Sequence, residues 1–293
     1  MELLLEHGLP YTPMDPGNLA WPAHDVRFGA NACWWGKGLP RRRTTFSRIF
    51  FFTRSHLAPF LYTTHNMTVG IDEAGRGPLA GPVAVGVAAV PAGFEWARVL
   101  PGVGDSKKLK PEDREAIFRR AATLRQAGEL DYAVAMVGSL VIDRKGIVPA
   151  IDLALTRALT RLTTGDLRRD RAQEEMVIQL DGGLRVPERV FQKMQNSSFA
   201  TNQTGFEAGE RTVTQETIIK GDVSEPAIGL ASIVAKVTRD RYMERMATRY
   251  PAYGFAEHKG YGTKAHRAAI TAHGLCEIHR QTFCTNISAP YYP

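Results

Sequence analysis

Three short apolar runs in this chain each end on an acid set among glycines, and that recurrence constrains the fold more than any other feature. Residues 68–72 run into Asp72-Glu73-Ala74-Gly75-Arg76-Gly77. Residues 175–180 run into Asp181-Gly182-Gly183, and residues 217–220 into Gly221-Asp222. Short apolar runs bounded by Gly and Asp are expected to be strands, with the chain leaving the sheet where the punctuation begins. Each Asp-Gly alone is an ordinary turn signal. Three together imply carboxylates gathered at the ends of neighbouring strands.

The remaining pattern fills in a sheet with helices. Residues 81–91 are Val- and Ala-rich between prolines and predict a second strand, paired antiparallel to the first across a tight Gly/Pro loop. Residues 111–127 open with Pro-Glu-Asp and place Ile117, Phe118, Ala121 and Leu124 on one helical face. Residues 132–137 predict a third strand. Residues 147–162 carry Ile151, Leu155, Ala158, Leu159 and Leu162 at helical spacing. Residues 226–249 predict a long helix, stopped by Pro251, with Ile233, Val234, Val237 and Met243 as core. Residues 184–214 show no clear period and are expected to be an inserted loop. Strands first in a run and then alternating with helices argue for one mixed sheet covered by helices, an α/β or α+β architecture.

Residues 1–66 differ from all this, with scattered prolines, a Trp34-Trp35 pair and the cluster Arg41-Arg42-Arg43. They are expected to be either a poorly ordered extension or translation from upstream of the true start, since Met67 immediately precedes the first convincing strand. The catalytic domain is then 67–293. Its partner is narrowed by charge: 37 Lys and Arg against 30 Asp and Glu give a net +7, which favours a polyanion without naming it. Cys33, Cys276 and Cys284 are odd in number and lack CxxC spacing, so neither a disulfide framework nor a zinc ribbon is indicated, and a reducing cytoplasm is the simplest setting. The apolar stretches fall short of the roughly 18 residues a membrane span needs.

Carboxylates at adjacent strand ends suit a hard cation, because Mg²⁺ and Mn²⁺ prefer oxygen ligands. Asp72, Glu73, Asp181 and Asp222 could hold a pair of ions that activate a water on one side of a phosphodiester and stabilise the departing oxygen on the other. Gly75 and Gly77 allow close backbone approach to a ligand, and Arg76 between them offers a planar donor suited to phosphate. A dinucleotide or P-loop site fails on detail: Pro78-Leu79-Ala80-Gly81-Pro82 and a strand stand where a helix is required, and no Gly-Lys-Ser/Thr follows. His258, His266, His273 and His279 fit no zinc spacing with the cysteines and are expected to be ordinary polar or phosphate-contacting residues.

At this point the chain resembles the ribonuclease HII family, from Met67 to about Pro290. The resemblance rests on Gly70-Ile-Asp-Glu-Ala-Gly-Arg-Gly-Pro-Leu-Ala-Gly-Pro-Val, Asp105-Ser-Lys-Lys-Leu, Leu180-Asp-Gly, Lys220-Gly-Asp, Ala231-Ser-Ile-Val-Ala-Lys-Val-Thr-Arg-Asp-Arg and His258-Lys-Gly-Tyr-Gly-Thr-Lys-Ala-His. It implies a ribonuclease H-like fold, a mixed five-stranded sheet flanked by helices, with a catalytic quartet at Asp72, Glu73, Asp181 and Asp222 dependent on Mg²⁺ or Mn²⁺. It implies hydrolysis of the RNA strand of RNA–DNA hybrids and cutting at ribonucleotides embedded in duplex DNA, by a monomer that leaves 5′-phosphate and 3′-hydroxyl ends. It also implies that Gly75, Arg76 and Gly77 read the ribose 2′-hydroxyl with Tyr261, the group that separates RNA from DNA. Ser106, Lys107 and Lys236 fall in the shared motifs and are candidate backbone contacts, with Lys108 and Lys264 behind them. Ser106 equally suits closing the Asp105 turn. A non-catalytic duplex-binding module is the rival class; loss of one acid would favour it, and all four are present.

Overall fold

The computed structural model describes residues 66–104, 108–163, 175–196 and 212–287. All belong to a compact unit spanning Leu57–Pro293. The expected extension, apart from Asn66, lies outside the described residues.

Five strands carry the frame: β1 Asn66–Ala74, β2 Val83–Pro91, β3 Asp131–Val137, β4 Glu175–Asp181 and β5 Thr212–Ile218. Their order is β3-β2-β1-β4-β5. β1 is central, antiparallel to β2 and parallel to β4, and β5 extends the parallel half. This is the mixed five-stranded sheet expected. Among the described residues the helices are α1 Trp96–Val99, α2 Pro111–Gln126, α3 Ser139–Lys145, α4 Ile147–Thr163, α5 Glu188–Gln195, α6 Gly221–Ser224, α7 Pro226–Arg249, α8 Phe255–His258 and α9 Lys264–His273.

β2 is buried at all nine positions because both its faces are covered. On one face Val85 and Val87 join Val69 and Ile71 of β1, Ile178 and Leu180 of β4, and the apolar stripe Ile151, Leu155, Ala158 and Leu159 of α4. Each large aliphatic side chain removed from water there contributes about 1.5–3 kcal/mol. The opposite face is built from small residues. A Cβ on Gly70 would stand 2.1 Å from the Ala227 carbonyl carbon, and one on Gly86 would stand 2.2 Å from the Ala231 oxygen. The backbone of α7 therefore lies directly against β1 and β2. Ile233, Val234, Val237 and Met243 of α7 are buried, as their spacing predicts.

Three boundaries differ from the sequence expectation. β1 runs on to Ala74, because its pairing with β2 continues through Glu73↔Val85 and Ala74↔Ala84. β5 starts five residues earlier than the apolar run, at Thr212; it is an edge strand in which only Val213 is buried, so its hydrophobic signal is weak. The stretch expected to be an inserted loop, 184–214, contains α5, which buries Met194 and packs Val190 and Phe191 on the core, and its last three residues open β5. With eight residues, α5 offers too few turns for a period to stand out. Residues 197–211 lie outside the described residues.

Candidate active site

Parallel pairing of β1, β4 and β5 brings three acid-bearing strand ends to one edge. Ile71 pairs with Leu180 and Asp181 with Ile218, so Asp72 and Asp181 sit beside each other where the pairing of β1 with β4 stops. After β5 the chain turns through Lys220 in the left-handed region (φ 58°) and enters α6, which carries Asp222. Asp181 Oδ1 accepts from the Gly221 N–H at 2.7 Å, tying the third acid to the segment that holds the fourth. Asp72 and Asp222 are buried, at 5% and 1% exposure.

Strand alternation puts Asp72 on the α7 face with Gly70 and Ala74, and Glu73 on the other set. The chain has therefore not left the sheet at Asp72-Glu73, and the two side chains diverge. Asp72 accepts from the Glu73 N–H at 2.7 Å and from the Ser232 hydroxyl of α7. Burial, countered by the Ser232 hydrogen bond and reinforced by the charges of Glu73 and Asp181, pushes the Asp72 carboxyl up to about 7. Burial also raises Glu73, against the pull of Arg76, whose Nη1 lies 3.3 Å from Glu73 Oε1. Among the described residues, no three carboxylate, imidazole or thiolate groups enclose a common point in this side-chain arrangement. The donor chemistry nonetheless fits a hard cation: the set is wholly carboxylate oxygen, and Asp72 and Glu73 each feel the charge of Asp181 as repulsion.

The loop after β1 is held from beneath by two fully buried arginines. Arg239 donates from Nε to the Pro82 carbonyl at 2.9 Å and from Nη2 to that of Ala80 at 3.1 Å. A Cβ on Gly75, whose φ is +86°, would stand 2.0 Å from Arg239 Nε, so glycine is required both for the turn and for the contact. Arg280 donates to the carbonyls of Gly75 (2.6 Å), Arg76 (2.9 Å) and Gly81 (3.0 Å). Burial lowers both guanidinium pKa values, that of Arg280 to about 10, so Arg280 remains charged at neutral pH. By contrast, the position of a Cβ on Gly77 has no protein atom within 4 Å.

Tyr261 lies across from this loop. It is 44% exposed, with its ring 5.8 Å from Arg239 Cζ and 6.0 Å from Lys236 Nζ. Lys236 itself pairs with Asp240 at 2.7 Å, and burial lowers its pKa against that pairing. Ser106 and Lys107 lie outside the described residues. The histidines expected to be ordinary polar or phosphate-contacting residues are structural in two cases: His266 and His279 are buried, at 0% and 2% exposure, because their rings pack with Tyr253 and Phe255.

Sequence reasoning missed Ser232, Arg239, His279 and Arg280. Ser232 and Arg239 fall seven residues apart on α7, so two helical turns put them on one face, and that spacing was a usable signal. Arg280 contacts a loop some 200 residues away in the chain, and no local pattern announces it.

Comparison with known proteins agrees with this geometry. The family model described as Ribonuclease HII matches residues 69–286. The ribonuclease HII of Endomicrobium trichonymphae is 38% identical over 238 residues, covering 81% of this chain and 93% of the relative. That of Geobacter sulfurreducens is 42% identical over 214 residues, covering 73% and 80%. Among solved structures, the ribonuclease H2 from Pyrococcus horikoshii OT3 superposes with a TM-score of 0.53 at 28% identity, covering 76% of this chain and 97% of that one. With the family model spanning most of the chain and relatives at 38–42% identity, the chain belongs to the ribonuclease HII family and is an endoribonuclease, a hydrolase acting on RNA in RNA–DNA hybrids.

Proposed function

We propose that the protein cuts on the 5′ side of ribonucleotides, both within RNA tracts of hybrids and singly in duplex DNA, leaving 5′-phosphate and 3′-hydroxyl ends. The observation that carries this is the adjacency of two devices on one edge of the sheet. One is a set of carboxylates in which the charge of Asp181 raises the proton affinity of Asp72 and Glu73; the other is the Gly75 loop and the half-exposed Tyr261 ring, both set against Arg239.

Asp72, Glu73, Asp181 and Asp222 would hold divalent ions, Mg²⁺ or Mn²⁺. When bound, such ions neutralise the phosphodiester, polarise an attacking water and stabilise the departing 3′ oxygen. The chain's own part is orientation. Ser232 and the Glu73 N–H fix the Asp72 carboxylate, and the Gly221 N–H fixes that of Asp181. The open space at Gly77 lets a ribose approach the backbone, whose polar groups can pair with a 2′-hydroxyl, while the Tyr261 ring packs on the neighbouring sugar. Lys236, held by Asp240 beside Tyr261, offers its charge to the phosphate backbone.

A duplex containing one ribonucleotide, incubated with and without Mg²⁺ or Mn²⁺ and mapped for the cut, tests this. Metal-dependent cleavage beside the ribonucleotide is expected. Cleavage that ignores the ribonucleotide, or proceeds fully in chelator, would overturn it.

A further inference from the structure

Two consecutive residues tie together the two halves of the proposed 2′-hydroxyl reader. Arg280 grips the loop half through the Gly75 and Arg76 carbonyls. His279 grips the tyrosine half through a second ring. His266 Nδ1 lies 2.9 Å from the Tyr261 carbonyl, which can only accept, so that nitrogen carries the hydrogen. His266 Nε2 is then an acceptor, and His279 Nε2, 3.1 Å away, donates to it. His279 Nδ1 in turn accepts from the Cys276 N–H at 2.9 Å. The Cys276 Sγ and carbonyl also lie 3.1 and 3.3 Å from His279 Nδ1, and both rings stay neutral because burial lowers each to about 4.

The backbone of the same segment is fixed as well. His279 forms an isolated antiparallel bridge with Ala80, the Gly81 N–H donates to the Ile278 carbonyl at 2.8 Å, and the Arg280 N–H donates to that of Leu79 at 2.8 Å. On the other side of residues 79–80, the Gly260 carbonyl accepts from Leu79 N–H at 2.9 Å, next to Tyr261. Residues 79–81 are thus clasped between the Tyr261 loop and residues 278–280.

We propose that residues 278–280 act as a strap in which Arg280 and His279 are positioning residues, setting the spacing between Gly75-Arg76-Gly77 and Tyr261 and thereby the selectivity for ribonucleotides. This rests on the reader assigned above. Neither side chain is exposed, so neither touches substrate. Their effect is on geometry, where a displacement of about 1 Å costs up to a hundredfold in rate.

The test uses the full chain carrying Arg280→Lys, which keeps the charge and loses the fork, or His266→Gln, with folding checked by circular dichroism. Two readouts are taken: amide exchange in peptides covering 75–82 and 258–263, and the ratio of cleavage at a single ribonucleotide to cleavage within an RNA tract. Arg280→Lys is expected to speed exchange in both peptides and to shift the ratio roughly tenfold. If it does not fold, His266→Gln is expected to do the same from the tyrosine side. Faster exchange confined to the directly bonded peptide overturns the coupling. So does an unmoved ratio in a protein where Tyr261→Ala and Arg76→Ala do move it. If those two variants also leave the ratio unmoved, the reader assignment fails, and the selectivity role of the strap fails with it.

Discussion

Asp72 shows how a single side chain can set stability and chemistry against each other. Its carboxyl titrates at about 7 in the folded chain against an ordinary 3.8. Between those values the unfolded chain has released the proton and the native one keeps it, so stability falls as pH rises through the window and the deficit is complete above about 7. The difference, 7 − 3.8, corresponds to at most about 4 kcal/mol at 1.36 kcal/mol per unit. Asp72→Asn removes this deficit and preserves an oxygen acceptor for Glu73 N–H and Ser232. Thermal melts in chelator should show the variant gaining more over the parent at pH 8 than at pH 5, while hydrolysis is abolished. An equal gain at both pH values would remove the carboxyl charge as the cause. Asp72 was also the most legible residue of the site, because an acid ending an apolar run before Gly75-Arg76-Gly77 is visible without any structure. Its partner Ser232 was harder to read, since a serine in an apolar helix reads as tolerated filler unless its seven-residue spacing from Arg239 is noticed.

At the scale of elements, α7 and its glycine seats decide how accurately Ser232 and Arg239 meet β1 and the loop. The same substitution should therefore have opposite consequences at two glycines. Gly86→Ala drives a Cβ to 2.2 Å from the Ala231 carbonyl oxygen, which is backbone and cannot swing aside. It should cost about 3 kcal/mol or more, read as a lowered denaturant midpoint, and should impair hydrolysis through the displaced helix. Gly77→Ala meets open space and should leave the midpoint unchanged while reducing cleavage at ribonucleotides, because the methyl occupies the approach of the sugar. A stability loss at Gly77 would show that the space is needed by the protein and not by a ligand. Elements with long periodic faces, α4 and α7, were legible from their spacing, as were β2 and β4 from β-branched runs. Those whose bounds were misplaced, or that escaped notice, were short or polar. β5 is Thr-rich with one buried residue, and α9, residues Lys264–His273, owes its start to Thr263 accepting from the His266 N–H, a cap that carries little hydrophobic signal.

For the whole molecule, acid stability is a contest between two buried devices. His266 and His279 titrate near 4 against an ordinary 6.5, so the unfolded chain takes up protons first, and stability present above 6.5 is lost as pH falls toward 4. At pH 5 each contributes about 2 kcal/mol of loss. Asp72 works in the other sense over much of the same range, so the parent should show a shallow profile from pH 7 to 5. In Asp72→Asn the histidine slope should stand out, and adding His279→Asn should roughly halve it; a double variant as acid-sensitive as Asp72→Asn would exclude His279 as a source.

The strap at residues 278–280 also has a bearing on how the protein comes into being. Synthesis delivers Asp72 and Glu73 early, Asp181 and Asp222 later, and His279 and Arg280 near the end. A growing chain that has emerged only through α7 holds all four acids, while Tyr261 and the Arg280 that grips the Gly75 and Arg76 carbonyls are still to come. On the roles proposed above, the residues for cutting are therefore synthesised before those for discrimination, and discrimination is the last to be installed.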